Sequence, residues 1–347
     1  MENKYISFDP WWGGMNNVRM SYECAAAMSV VSNRKLIIPP KVYILFFSEH
    51  SNKKTYFDFW KIWDKKAFKS QFDTIEYKDV PELQKYNTDK QYFDGICSDY
   101  KCITFGDAWT NHGPQEWMGQ YMIYGEVQSD PSFFKFKELD RPTISLNTKD
   151  KILHFPSSLL GYWYFHVYNE PHHKVKEKLK KGLKLRPEFI KKAKELMPDD
   201  YDSLHIRRGD FLNTRKPSTL KLYETLQDSL SKKIKKGRTI FIATDEKDKT
   251  LFDFLKKTYN IVFLSDLTKD KDHVELALDM EICANGKLFY GSQYSTFTDY
   301  IHILRHYKNN TDCSRIGLNY EKPTVKNKEI PWLEEQYGWD NLWVHLY

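Results

Sequence analysis

The residues best equipped for chemistry stand together at His205-Ile206-Arg207-Arg208-Gly209-Asp210-Phe211. Two guanidinium groups, an imidazole and a Gly-Asp turn follow a short apolar run that begins at Asp202-Ser203-Leu204. That run reads as a buried strand ending in a loop. Open α/β sheets hold their ligands in loops at the carboxyl ends of strands. An arginine fork placed there grips phosphate oxygens in pairs, which a lysine point charge does not do. The segment has the make-up of a pyrophosphate clamp and points to a nucleotide-linked donor. Taken alone, the same residues also make a surface turn closed by an Asp–Arg ion pair.

Three further segments fall at the same kind of junction. Gly13-Gly14-Met15-Asn16-Asn17 precedes a helix rich in Ala and Met, where a glycine turn lets a ligand approach the backbone N–H groups. Thr244-Asp245-Glu246 ends the β-like run Thr239–Ala243. Ser292–Phe297 places Ser295 and Thr296 at the mouth of a helix, where hydroxyls and open amides suit a phosphate as well as a simple N-cap. Four junctions of one kind favour a shared diphosphate site over four unrelated turns.

The elements that must position these groups follow from the hydrophobic pattern. Ile6–Phe8, the helix Val18–Val31 and Leu36–Ile38 form a βαβ unit, and a parallel sheet is expected. Residues 46–140 are aromatic and irregular, with loops, a helix or two and a few strands. Ile152–Phe155 is a strand, and helices follow over about 174–197, with Pro187 at a first helical position. A second α/β series begins at Tyr201. It runs strand Ser203–Ile206, helix Lys221–Lys235, strand Thr239–Ala243, helix Lys249–Tyr259, strand Ile261–Leu264, helix His273–Asn285, strand Lys287–Gly291 and helix Ser295–Arg305. Such alternation marks doubly wound parallel sheets. The expected architecture is α/β with two Rossmann-like domains facing a cleft. They divide at residue 198, with 1–198 carrying the Gly-rich loop and 199–347 carrying the donor site and a C-terminal tail.

Composition narrows the classes. The chain has 347 residues, 41% hydrophobic and 16% aromatic, which is enough for two ordinary domains with real cores. The net charge of +6 gathers around Lys174–Lys194, but Glu177, Glu188 and Glu195 dilute it and the one aromatic in the run, Phe189, makes no interleaved pattern, so a solvated helix face outranks nucleic-acid binding. No apolar stretch has bilayer-spanning length, and no secretory signal stands at Met1–Tyr5, so a cytoplasmic protein is expected. The five cysteines, an odd count, speak against a disulfide framework, and Cys97 and Cys102 lack a second pair at zinc spacing. No metal site is expected.

Read together, GGMNNVRM, IIPP, HIRRGDF, IATDE and ALDMEICANGKLFYGSQYSTF resemble, in order and spacing, the GDP-fucose-dependent fucosyltransferases of the protein O-fucosyltransferase-like superfamily. The resemblance spans about residues 5–306, more loosely over 46–150. It implies a GT-B fold and an inverting, metal-independent transfer of fucose from GDP-fucose to a glycan or protein hydroxyl, without a cofactor. By the same resemblance, Arg207 contacts the β-phosphate and His205 lines the nucleotide site. Asp279 helps hold the guanine end, Ser295, Thr296 and Phe297 surround the phosphates, and Asn17 stands at the reaction centre. Gly13, Gly14, Asn16, Arg208, Asp210, Thr244 and Asp245 complete the donor-side set. Without a metal, charge developing on the leaving oxygen needs a fixed guanidinium and helix-end amides.

The resemblance has a gap. Some relatives carry a Glu in the Gly-rich loop as the base, and this loop has none. Either the acceptor hydroxyl loses its proton late, in a dissociative path assisted by Asn17, or another acid serves; Asp9, Glu23 and Asp210 are the acids nearby in sequence, and the base stays unassigned. The rival readings are an α1,2-fucosyltransferase-type enzyme, a transferase of another GDP-sugar, and a non-catalytic nucleotide-sugar-binding protein. The aromatic stretch Tyr56–Trp63 and the tail Trp332–Tyr347 suit either an acceptor surface or plain packing.

Overall fold

The computed structural model describes residues 3–10, 14–43, 56–102, 149–155, 171–197, 200–209, 224, 226–228, 230–270, 272–292, 295–308, 313–316, 324–325 and 328–329. Gly13, Asp210, Leu222 and the tail from Trp332 lie outside them. The chain forms two compact units, which divide between Lys184 and Leu185.

The first unit is built on a five-stranded parallel sheet. Its strands are β1 (Tyr5–Phe8), β2 (Lys35–Ile38), β3 (Thr74–Glu76), β4 (Lys101–Cys102) and β5 (Ile152–Phe155), in the order β3-β2-β1-β5-β4. The first strand therefore lies in the middle. Side chains alternate across it. Phe8 faces helix α1 (Met15–Ser32), where it meets Tyr22 edge-on at 5.0 Å, while Tyr5 joins the opposite core with Ile37, Tyr77, Tyr92 and Ile152. Helix α1 is buried nearly all round and packs on β1 and β2, its Ala25-Ala26-Ala27 run taking up little room. It stops at Asn33, a left-handed residue (φ 53°) whose N–H reaches back to the carbonyls of Ser29 and Val30.

The stretch that looked irregular supplies the sheet edges and two capped helices. Asp64 caps α2 (Lys65–Gln71) by accepting from the Ala67 amide at 2.9 Å. Thr88 and Gln91 form a reciprocal capping box on α3 (Asp89–Asp99). Helix α4 (Pro171–Gly182) packs on α2.

The second unit has the strands β6 (Asp202–Ile206), β7 (Thr239–Thr244), β8 (Asn260–Val262), β9 (Phe289–Ser292) and β10 (Cys313–Ile316). All pair in parallel in the order β8-β7-β6-β9-β10, again with the first strand central. Helix α5 (Pro187–Leu196), with Pro187 at its first position, packs on α6 (Asp272–Asn285). Helix α7 (Thr296–Tyr307) packs on α6 in turn.

Two expectations need correction here. The span Lys249–Tyr259 is not one helix but a 3-10 turn, Lys249–Phe252, followed by a single helical turn, because Asp248 caps the turn through the Thr250 amide. The strand expected through Leu264 stops at Val262, since the Asp266 carboxylate takes the Phe263 amide and starts a helical turn.

Candidate functional site

Strand β6 is buried at every residue and flanked on both sides, so its end is held rigidly. Leu204 and Ile206 face the core that contains Leu226 and Leu230. Ser203 and His205 face the other way. Ser203 Oγ donates to the Cys283 carbonyl at 2.9 Å, and His205 Nδ1 lies 2.7 Å from Thr298 Oγ1 on α7. Thr298 comes that near because β9 has a glycine. A Cβ on Gly291 would stand 2.3 Å from Thr298 Cγ2. Phe297 covers the imidazole with ring centroids 4.6 Å apart. Burial, with the Arg207 guanidinium adding to it and Asp245 opposing, pushes the His205 pKa down to about 3. His205 is thus a neutral wall of the site across physiological pH.

The two arginines play different parts. Arg207 N–H donates to Ser292 Oγ at 2.9 Å, and Ser292 Oγ donates to the His205 carbonyl at 3.2 Å, which ties the exit of β6 to β9. The Arg207 guanidinium pairs with Asp245 Oδ2 at 2.8 Å and stays 25% exposed. Arg208 is buried, and its Nε donates to Glu246 Oε2 at 2.8 Å. Asp245 serves both arginines, since its Oδ1 accepts the Arg208 backbone N–H at 2.7 Å. Burial alone would raise the Glu246 carboxyl, but Arg208 and nearby amides outweigh it and hold it below the ordinary value. Thr244 Oγ1 closes the junction by donating to the Ile206 carbonyl at 2.6 Å. The strand ends of β6 and β7 therefore form one charged frame with Arg207 on its open side.

Helix α7 begins beside this frame. Ser295 is buried, Thr296 is half-buried, and the first-turn amides lie at the N-terminal, positive end of the helix dipole. Asp279 on α6 is buried, with Oδ1 lacking a hydrogen-bond partner among the described residues. Burial and then Glu275 push its carboxyl well above the usual range, with Lys249 opposing. Lys249 Nζ donates to the carbonyls of Thr244 (3.3 Å) and Glu246 (2.6 Å) and feels both Asp279 and Asp245. Among the described residues, no group of three His, Cys, Asp or Glu side chains is placed to hold a metal ion, and no helix is long and apolar enough to cross a membrane.

In the first unit, Gly14 is the extended N-cap of α1, and the Asn17 and Val18 amides both point at its carbonyl (2.9 and 3.2 Å). Asn16 is buried and Asn17 half-buried in the same first turn. Among the described residues no side chain caps this end, and no acid stands in its first turn.

His205, Arg207, Arg208, Thr244, Asp245 and Phe297 are thus joined through shared contacts, with Ser295 and Thr296 beginning the same helix. Lys249 links Asp279 to them electrostatically. Gly14, Asn16 and Asn17 gather in the other unit. Sequence reasoning missed Gly209, Thr298 and Lys249. Only Gly209 carried a signal, a glycine between an arginine and an aspartate. Its Cβ would lie 2.3 Å from Asp245 Oδ2.

Two parallel-sheet units, with a guanidinium frame at the carboxyl end of a central strand, have the GT-B-type fold. The chain belongs to the GDP-fucose protein O-fucosyltransferase family, whose model matches residues 5–308. It is accordingly a GDP-fucose fucosyltransferase. Solved structures share the fold at low identity. POFUT1 in complex with GDP is 14% identical with a TM-score of 0.53, over 91% of this chain and 99% of that one. The NodZ alpha-1,6-fucosyltransferase co-crystallised with GDP is 13% identical with a TM-score of 0.51, over 88% and 93%. No curated protein matches in a comparison by sequence.

Proposed function

We propose that the protein transfers fucose from GDP-fucose to a hydroxyl of a glycan or protein, with inversion at the anomeric carbon and with neither metal nor cofactor. The unit that ends at Lys184 serves the acceptor and the one that begins at Leu185 the donor. The observation that carries the reading is Arg207, held by Asp245 at the exit of a rigid central strand and partly exposed. When the bond to the β-phosphate breaks, negative charge grows on the leaving oxygen. A guanidinium already locked in place meets that charge without reorganising. Amides at the start of α7, with Ser295 and Thr296, share the diphosphate load, and Asp279 accepts from the guanine N–H groups. Asn17 stands at the reaction centre on the acceptor side.

The test is calorimetric titration of GDP, GDP-fucose, GDP-mannose and UDP-glucose with chelator present, alongside GDP-fucose turnover. Tight binding confined to the GDP compounds is expected. Arg207→Ala should lower turnover by about 10²–10³, the usual loss for one preorganised donor. Arg207→Lys should restore little, because an ammonium lacks the fork. Failure of GDP to bind, or a strict metal requirement, refutes the reading.

A further inference from the structure

Inverting transfer leaves one proton to place: the acceptor oxygen bonds to the anomeric carbon and its hydrogen must go elsewhere. The Gly-rich turn Gly14–Asn17 offers no carboxylate, so the acid has to come from outside it. Glu23 is taken, because it is buried in α1 and ion-paired with Arg19, itself 1% exposed. Asp9 differs. It is the first residue past β1, and its N–H donates to the Phe155 carbonyl at 2.9 Å, so the β1–β5 ladder fixes its backbone. Ser7 and Asp9 share one face of the strand line, and Ser7 lies in register with His154 of β5.

These three side chains form a chain of contacts. Ser7 Oγ lies 2.9 Å from His154 Nδ1, and His154 Nε2 lies 3.5 Å from Asp9 Oδ1. Ser7 and His154 are fully buried, while Asp9 keeps 25% of its side chain exposed. Asp9 Oδ1 and His154 Nε2 are both buried and have no hydrogen-bond partner among the described residues, although they face each other. The tautomer with Ser7 Oγ–H donating to Nδ1 leaves a proton on Nε2 aimed at Asp9. Contacts of this kind tighten when substrate arrives.

Resting on the fucosyltransferase reading, we infer that Asp9 is the proton acceptor for the attacking hydroxyl, with His154 as its positioning residue. The acceptor oxygen bonds to the fucose anomeric carbon as the bond from that carbon to the β-phosphate oxygen breaks. The electron pair leaves with GDP, and the hydroxyl proton passes to the open side of the Asp9 carboxylate. Burial raises the Asp9 pKa above its ordinary 3.8, with His154 opposing, which makes it a better base than a solvated aspartate. Among the described residues, the titratable groups facing it are His154 on β5 and Tyr92 on α3.

The experiment uses water and azide as acceptors in GDP-fucose turnover. Azide carries no proton and needs no base. Asp9→Asn should bind GDP like the wild type and lose about 10²–10⁴ in hydrolysis. Its azide-dependent GDP release should match the wild type's. A variant that hydrolyses at the wild-type rate, or that azide leaves slow despite intact GDP binding, overturns the inference. His154→Phe provides an independent measure. With the opposing partner gone, the acid limb of the hydrolysis pH profile moves to higher pH. An unmoved limb overturns the inference even where Asp9→Asn fails to fold. A wild-type protein that neither binds GDP nor consumes GDP-fucose instead sinks the parent reading.

Discussion

Gly209→Ala tests the frame around Arg207 with one methyl group. The new Cβ would stand 2.3 Å from Asp245 Oδ2 and 3.0 Å from its Cγ, where ordinary contact begins at 3.4 Å. The carboxylate must retreat by about 1 Å. The Gly209 backbone is not in the left-handed region, so alanine meets no conformational penalty and the effect is purely one of space. That carboxylate pairs with Arg207 at 2.8 Å and takes the Arg208 amide at 2.7 Å, and both contacts shift with it. Overpacking of this kind costs about 1–3 kcal/mol of stability. A 1 Å misplacement of a catalytic group costs about 10²-fold in rate. Gly209→Ala should therefore lower kcat for GDP-fucose turnover about 10²-fold and lower Tm modestly. Because the whole effect runs through Asp245, adding Gly209→Ala to Asp245→Ala should do almost nothing further. Additive losses in that double-mutant cycle, or wild-type turnover in the single variant, would refute the reasoning.

Other outcomes follow from the described contacts. His205 stays neutral to about pH 3 when folded but takes a proton near 6.5 when unfolded. The unfolded state binds the extra proton between those values, so stability falls on acidification by about 1.4 kcal/mol per pH unit. Urea melts over that range should show the slope, and His205→Phe should remove it. Thr298→Val strips His205 Nδ1 of its partner and should cost about 1–3 kcal/mol in the same melts. Arg305 is fully buried and donates to the carbonyls of Cys283, Ala284, Gly286 and Lys287 at the end of α6. Arg305→Met should cost about 3–5 kcal/mol by leaving those acceptors bare, with GDP affinity retained in the fraction that folds. Glu23→Gln leaves the buried Arg19 charge without its ion pair and should cost about 3 kcal/mol, read as Tm, without altering the azide bypass.

The junctions were legible in the sequence because each ends an apolar run at a polar or glycine-rich break. Ser203–Ile206 before Arg207 and Thr239–Ala243 before Thr244 show this directly. Contacts that close on those junctions were not legible. Thr298 anchors His205 across 93 positions, and Ser7 meets His154 across 147. No local pattern records such pairings. The short edge strands β3 and β4 hold three and two residues, too few to display alternation. Local side-chain competition decided the misread spans, since Asp248 and Asp266 each captured an amide that a longer helix or strand would have used.

In both units the strand that comes first in the chain sits in the middle of its sheet, and a charged residue follows its last position: Asp9 after β1, Arg207 after β6. The backbone there is secured by neighbours on either side, whatever side chain the position carries. Folding and reactivity are thereby stored at different addresses on the chain. A lineage can rewrite the chemistry at such a point by single substitutions while the sheet beneath stays as it was. Architecture shared over 91% of the chain at 14% identity is what that separation permits.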